Sequence, residues 1–147
     1  MFNSMKPILA LIDILIFAFI ASVHFYWAFG GRRLSTLAVP TSNGSQQKPL
    51  FTPGPLSTMA VGIGLLCFAW ILAVKAGFIN SSLLSDSVIT YISIGIAIIF
   101  FLRAIGEFKY VGFFKKIKQT EFGQMDTRYY SPLCLLISFI ILVINYY

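Results

Sequence analysis

Residues that can exchange protons or hold charge gather at a few places in an otherwise apolar chain. "ASVHFYWAFGGRR", residues 21–33, holds the only histidine, His24, followed by Tyr26, Trp27, a glycine pair and two arginines. Further on, Arg103 and Glu107 stand four residues apart, and Asp126, Arg128 and Tyr129 follow within "MDTRYY". An imidazole offers one donor and one acceptor and exchanges protons near neutral pH. With a carboxylate such as Glu107 to orient it, His24 has the elements of a general acid–base pair. Arg103 or Arg128 would hold negative charge through the guanidinium fork, while Tyr26, Trp27 and Tyr129 offer amphipathic rings. These residue types suit a small amphipathic or anionic ligand, lipid included, with His24 and Glu107 as the candidate catalytic residues. A structural reading stands beside this one. His24 can be satisfied by a backbone carbonyl or a carboxylate, and Arg103 can snorkel with Glu107 as its interfacial partner.

Asp13 is the other ionisable residue inside an apolar run. It lies eleven residues before His24, which at about 100° per residue returns it to nearly the same helix face, about 16 Å away along the axis. A carboxylate at that depth is costly unless neutralised or bonded. It is expected to be protonated or bonded within a bundle, for instance to Thr90 or Ser93, and to form part of a polar stripe.

The elements that must position these residues follow from composition. Of 147 residues 58% are hydrophobic and only 11% charged, against about 25% charged in soluble domains. Four runs, residues 7–29, 55–78, 88–106 and 132–147, each reach or nearly reach across a hydrocarbon core of about 30 Å. The predicted fold is all-α: a polytopic membrane protein, a single domain forming an up-down four-transmembrane-helix bundle. Ser131-Pro132 reads as the cap and first turn of the last helix. Gly30-Gly31 and Gly77 read as helix ends, and Tyr146 and Tyr147 suit a membrane interface. Residues 30–55, with four prolines, form a long loop, and "NSSLLSDS" a short one. Ala69, Ala73 and Gly77, with Ser93 and Ala97, are small enough for close helix contact, as is "GIG" at 62–64. The segment 107–126, with Phe108, Val111, Phe114 and Ile117 among lysines, reads as a helix lying in the headgroup layer, between the third and fourth spans.

Sidedness follows from the cations. Arg32, Arg33 and Lys48 in the first long loop join Arg103, Lys109, Lys115, Lys116, Lys118 and Arg128 near the second, against Lys6 and Lys75 on the other side. The positive-inside rule puts both long loops in the cytoplasm and both termini outside the cell membrane. His24, Tyr26, Trp27, Arg103, Glu107, Asp126, Arg128 and Tyr129 then share one cytoplasmic mouth. A signal peptide is the rival reading of the N-terminus, but Asp13 interrupts its apolar core.

The net charge of +6 is explained by sidedness and by anionic lipid headgroups rather than by nucleic acid. Membrane lipids are the expected partners, with a homo-oligomer or a membrane partner protein as a further expectation. Cys67 and Cys134 stand alone, without a CxxC, and read as packing residues. One histidine and two separated cysteines build no closed zinc site, and no P-loop, dinucleotide turn or GxSxG occurs. No metal and no cofactor is expected, and no inverted repeat of the transporter kind is seen.

"HFYWAFGGR", "FLRAIGEFKYVGFFKK" and "FGQMDTRYYSPLCL" resemble the signature blocks of a family of small bacterial membrane proteins, domain of unknown function 3995. The resemblance covers nearly the whole chain. It implies a four-helix membrane protein of the bacterial inner membrane and no particular activity. Its blocks contain His24, Trp27, Gly30, Gly31, Arg103, Gly106, Glu107, Gly112, Asp126, Tyr130 and Pro132. Two functions stay open from sequence: a ligand site at the mouth, or a non-enzymatic accessory protein whose polar residues are interhelical ties.

Overall fold

A computed structural model of the protein describes residues 2–42 and 48–146. All regular structure in it is helical. The helices are α1 (Phe2–Ala28), the one-turn α2 (Ser35–Ala38), α3 (Pro55–Lys75), α4 (Asp86–Ile105), the short α5 (Glu121–Met125) and α6 (Ser131–Tyr146). A π-helical turn, Asp126–Tyr130, joins α5 to α6. Four stretches are long and apolar enough to cross a membrane: Met5–Ala28, Pro55–Lys75, Asp86–Ile105 and Glu121–Tyr146. In hydrocarbon only a helix satisfies every backbone group within its own segment, so such runs have one regular option.

Glycine ends the first two long helices. Gly30 takes φ +93°, so that Gly30 N–H reaches Trp27 O and Gly31 N–H reaches Tyr26 O, at 3.0 and 2.9 Å. Gly77 repeats the arrangement after α3 with φ +78°, its N–H on Val74 O and that of Phe78 on Ala73 O. Both are Schellman closures, which need a residue at ease in the left-handed region.

The core is built around Phe17, which is fully buried. Its ring lies 6.0 Å from Phe68 of α3 and 5.4 Å from Phe100 of α4. Leu72, Ile96, Ile137 and Ile141 extend this cluster across all four long helices. α1 packs chiefly on α3 and α4 on α6, with lighter contacts between α1 and α6 and between α3 and α4. Phe25 lies against Gly62 while Phe17 meets Phe68, so α1 and α3 run in opposite senses. Ser138 Oγ donates to Ala97 O and Ser93 Oγ to Asn145 Oδ1, both at 2.8 Å, which sets the same relation between α4 and α6. The outer faces stay apolar: Phe19, Leu56, Tyr91 and Phe139 are all exposed, as expected of helices hydrophobic all round.

Several sequence expectations need correction. The last helix begins ten residues before Ser131-Pro132, at Glu121, and its cap is Thr120, whose side chain accepts from Gly123 N–H. Ser131 is helical, and the wide turn before Pro132 pairs Ser131 N–H with Asp126 O, five residues back. A proline removes an i→i−4 bond, and a π-turn is one way a helix runs on past such a loss. The segment after α4 is not an interfacial helix: residues 106–120 form a folded loop. Phe108 there has φ +67°, outside the helical region, although Phe108 and Phe114 are exposed as expected. Lys115, read as a surface lysine, is buried. Asp13 makes no bond to Thr90 or Ser93, which pair with Lys75 and Asn145 instead. Gly77 lies beyond its helix and is exposed, so it closes α3 rather than packing it. Within "GIG", Gly62 packs closely, a Cβ there lying 3.0 Å from the Phe25 ring, while Gly64 has open space. Cys67 is exposed and only Cys134 is part-buried. Tyr147 lies outside the described residues.

Candidate functional site

Two glycines fold the loop after α4 back on the helix that precedes it. Gly106 and Gly112 take φ +85° and +89°, and their backbones lie flat against each other. A Cβ on Gly106 would run into the Val111 carbonyl, and one on Gly112 into the Ile105 carbonyl. This approach lets Phe113 N–H bond Ala104 O at 2.8 Å, pinning the loop to the last turn of α4. It also brings the Gly112 amide and Lys115 inward.

They converge on Asp126, which is fully buried. One carboxylate oxygen, Oδ1, accepts from Arg103 Nη2 at 2.8 Å. The other, Oδ2, accepts from Lys115 Nζ at 2.9 Å, Gly112 N–H at 2.8 Å and Ser131 Oγ at 3.2 Å. The π-turn places Ser131 five residues on with its hydroxyl over the carboxylate. Lys115, its side chain wholly shielded, also donates to Gly112 O at 2.9 Å and Thr127 Oγ1 at 2.6 Å, so its three N–H groups are all placed. One anion and two cations leave this cluster with one positive charge in excess.

Arg103 carries the excess outward. Its side chain is one-third exposed, and its second terminal nitrogen, Nη1, is buried without a hydrogen-bond partner. Arg103 lines an open cleft of about 520 Å³ between the two long loops. Ala38, Pro40 and Phe51 form one wall; Leu102, Val111 and Phe122 form the other. Glu107 is the second ionisable residue in the lining. Tyr130 OH donates to Leu37 O at 3.3 Å, tying the first loop over this region.

The structure thus joins Arg103 to Asp126 and sets Glu107 beside Arg103 on one cleft. It does not join Glu107 to His24. α4 ends at Ile105, so Glu107 is off the helix, and its Oε1 accepts from Tyr110 N–H, closing the turn that begins the loop. His24 Nδ1 bonds Ile20 O at 2.8 Å in its own helix. A carbonyl only accepts, so the proton of this bond sits on Nδ1. The imidazole stands edge-on to Trp27, 5.4 Å between centroids, and Trp27 Nε1 donates to Arg33 O at 2.8 Å. Tyr26 is exposed with its ring across Gly31. Arg128 lies over the exposed Tyr129 ring at 5.5 Å and is not among the groups bonded to Asp126. Asp13 is buried elsewhere, with neither carboxyl oxygen bonded. Sequence reasoning missed Lys115 and Thr127, named Gly112 only through the family resemblance, and read Ser131 only as a helix cap. A buried aspartate calls for a cation, but four lysines crowd positions 109–118 and nothing in their order marks one.

A family model described as a protein of unknown function, DUF3995, matches residues 17–141. The chain belongs to this family. The matched stretch contains the four residues bonded to Asp126 and every residue lining the cleft, while Asp13 falls outside it. No curated protein and no solved structure matches the chain. For DUF3995, then, the chemistry must be read from the site. Among the described residues, no three His, Cys, Asp or Glu side chains gather as metal ligands would.

Proposed function

We propose that this protein is a multi-pass integral membrane protein that binds a small amphipathic anion, a carboxylate or phosphate head on an apolar body, in the cleft between its two long loops. The observation that carries this reading is Arg103. Its Nη2 is bonded to Asp126, its Nη1 is buried without a hydrogen-bond partner, and its one-third-exposed side chain lines an open, mostly apolar cleft. The excess positive charge of the Arg103–Asp126–Lys115 cluster favours an anion, and the walls favour a hydrocarbon body. A guanidinium fork binds carboxylate and phosphate in two-pronged geometry. The excess of basic residues in both loops supports a reading in which this mouth of an up-down bundle faces the cytoplasmic side of a cell membrane, the inner membrane in a bacterium, with both termini outside. Binding, rather than turnover, is proposed because the hydrogen bonds of His24 and Glu107 run to different partners.

A structural role is the second reading, and one observation favours it: Asp126 joins α4, the folded loop and α6 with four accepted bonds. The two readings separate at Val111. Val111→Trp adds bulk to the cleft lining while leaving every side chain bonded to Asp126 unchanged. Native mass spectrometry of the wild type should release an anionic amphiphile that the tryptophan variant has lost at unchanged thermal stability. Equal adducts on both proteins would favour the structural role.

A further inference from the structure

The chain buries two carboxyl groups in opposite surroundings. Asp126 accepts four hydrogen bonds. Asp13, equally buried, has neither Oδ1 nor Oδ2 bonded. Its height in the bundle is bracketed by its neighbours on the same face of α1. Ala10 packs with Ile140 and Ile144 of α6, and Phe17 with Phe68 and Phe100. Ser93 and Asn145, bonded at 2.8 Å, lie beside this level. Ser93 is seven residues before Phe100, about 10 Å, and Asp13 four before Phe17, about 6 Å, so they lie within about one helical turn of each other along the bundle.

From there polar groups lead to the end of the bundle. Ser93 Oγ also lies 2.9 Å from Thr90 O, a second acceptor for its single hydroxyl proton. Thr90 Oγ1 donates to Asp86 O and accepts from Lys75 Nζ, at 2.8 and 2.6 Å. Asp86 is exposed, Thr90 part-buried, Ser93 buried. The charged groups on the surrounding helices are few. α3 carries Lys75 at its end, α4 carries Asp86 and Arg103 at its two ends, α6 carries none, and α1 itself adds Lys6. The other titratable groups on these elements are His24, Tyr26, Cys67, Tyr91, Cys134 and Tyr146. No hydrogen bond or ion pair joins any of these to Asp13.

We propose that Asp13 is a proton-binding site inside the bundle, reached from the end where the α3–α4 turn lies along Thr90, Ser93 and Asn145. An ionised carboxylate only accepts and would stand here without a donor, whereas the neutral acid supplies its own O–H. A hard metal ion would need several oxygen ligands, and the nearby Ser93 and Asn145 oxygens are bonded to each other. The step is proton exchange alone: a proton from water at the polar end bonds to the carboxyl group as the existing O–H bond breaks and its proton passes back to that water, so the group stays neutral.

Infrared spectroscopy of the full-length chain at neutral pH, wild type beside Asp13→Asn, tests this. The expected result is a protonated-carboxyl stretch in the wild type that the asparagine variant lacks. On transfer to deuterated water that band should shift severalfold more slowly in a Ser93→Ala, Asn145→Leu variant. Absence of the band from the wild type, or its persistence in Asp13→Asn, overturns the site; equal exchange rates overturn the route. Dicyclohexylcarbodiimide, which reacts with protonated carboxyls in apolar surroundings, needs no variant. An adduct on the Asp13 peptide supports the site, and an unmodified peptide overturns it.

Discussion

Lys115 Nζ and Asp126 Oδ2 meet at 2.9 Å with neither side chain exposed, eleven residues apart in sequence and on different structural elements. Buried ion pairs contribute little net stability against an apolar replacement, but breaking one from one side is costly, about 3–5 kcal/mol, because a charge is left alone. The two partners are not equivalent. Without Asp126, Lys115 and Arg103 both lose their counterion. Without Lys115, Asp126 keeps Arg103, the Gly112 amide and Ser131.

Asp126→Ala should therefore be the harsher change. It is expected to cost about 3–5 kcal/mol, and Lys115→Met clearly less. Thermal unfolding of both variants in detergent reads the order directly; a Lys115→Met melting temperature below that of Asp126→Ala would contradict it.

Gly106 and Gly112 are expected to refuse any side chain. Both have left-handed φ, and a Cβ on either meets backbone rather than a yielding side chain. Left-handed backbone alone costs a non-glycine residue about 1–2 kcal/mol, so Gly112→Ala should lower stability by more than that. Gly64→Ala, in open space within α3, is the control and should be neutral or slightly stabilising, by up to about 1 kcal/mol from helix propensity. Melting temperatures of the two variants provide the comparison.

The interhelical hydroxyl bonds are worth less. Ser138→Ala removes the donor to Ala97 O, and such bonds between membrane helices average about 0.6 kcal/mol. His24→Ala should also be mild, since its ring bonds a carbonyl of its own helix rather than a neighbouring one. A loss of several kcal/mol from His24→Ala, measured by denaturation in mixed micelles, would mean that His24 ties helices together.

The four long helices were legible because hydrocarbon leaves a polypeptide few options, and runs of Ile, Leu, Phe and Ala of spanning length announce themselves. The closures at Gly30 and Gly77 were legible for a similar reason, since glycine is the residue at ease there. The start of the last helix was hidden because Thr120 caps it in a polar stretch and the π-turn carries the helix past Pro132. The loop after α4 was misread because its aromatic spacing imitates a helix. Its true determinant is the Gly106–Gly112 contact, a meeting of two backbones that no periodicity reveals. Arg103 and Asp126 were placed at one mouth by topology alone. Their pairing, and the inward turn of Lys115, depend on that same backbone contact.

The most direct test of anion binding uses a fluorescent long-chain carboxylate and the neutral alcohol of equal chain length, titrated into the wild type and Arg103→Lys. The lysine keeps the charge on Asp126 but loses the guanidinium fork. Saturable binding of the carboxylate, at least about tenfold (1.4 kcal/mol) weaker in Arg103→Lys, with no competition from the alcohol, is the predicted result. Equal binding of alcohol and carboxylate, or affinity unchanged in Arg103→Lys, would show that Arg103 holds no ligand and that the cleft is only a seam between two loops.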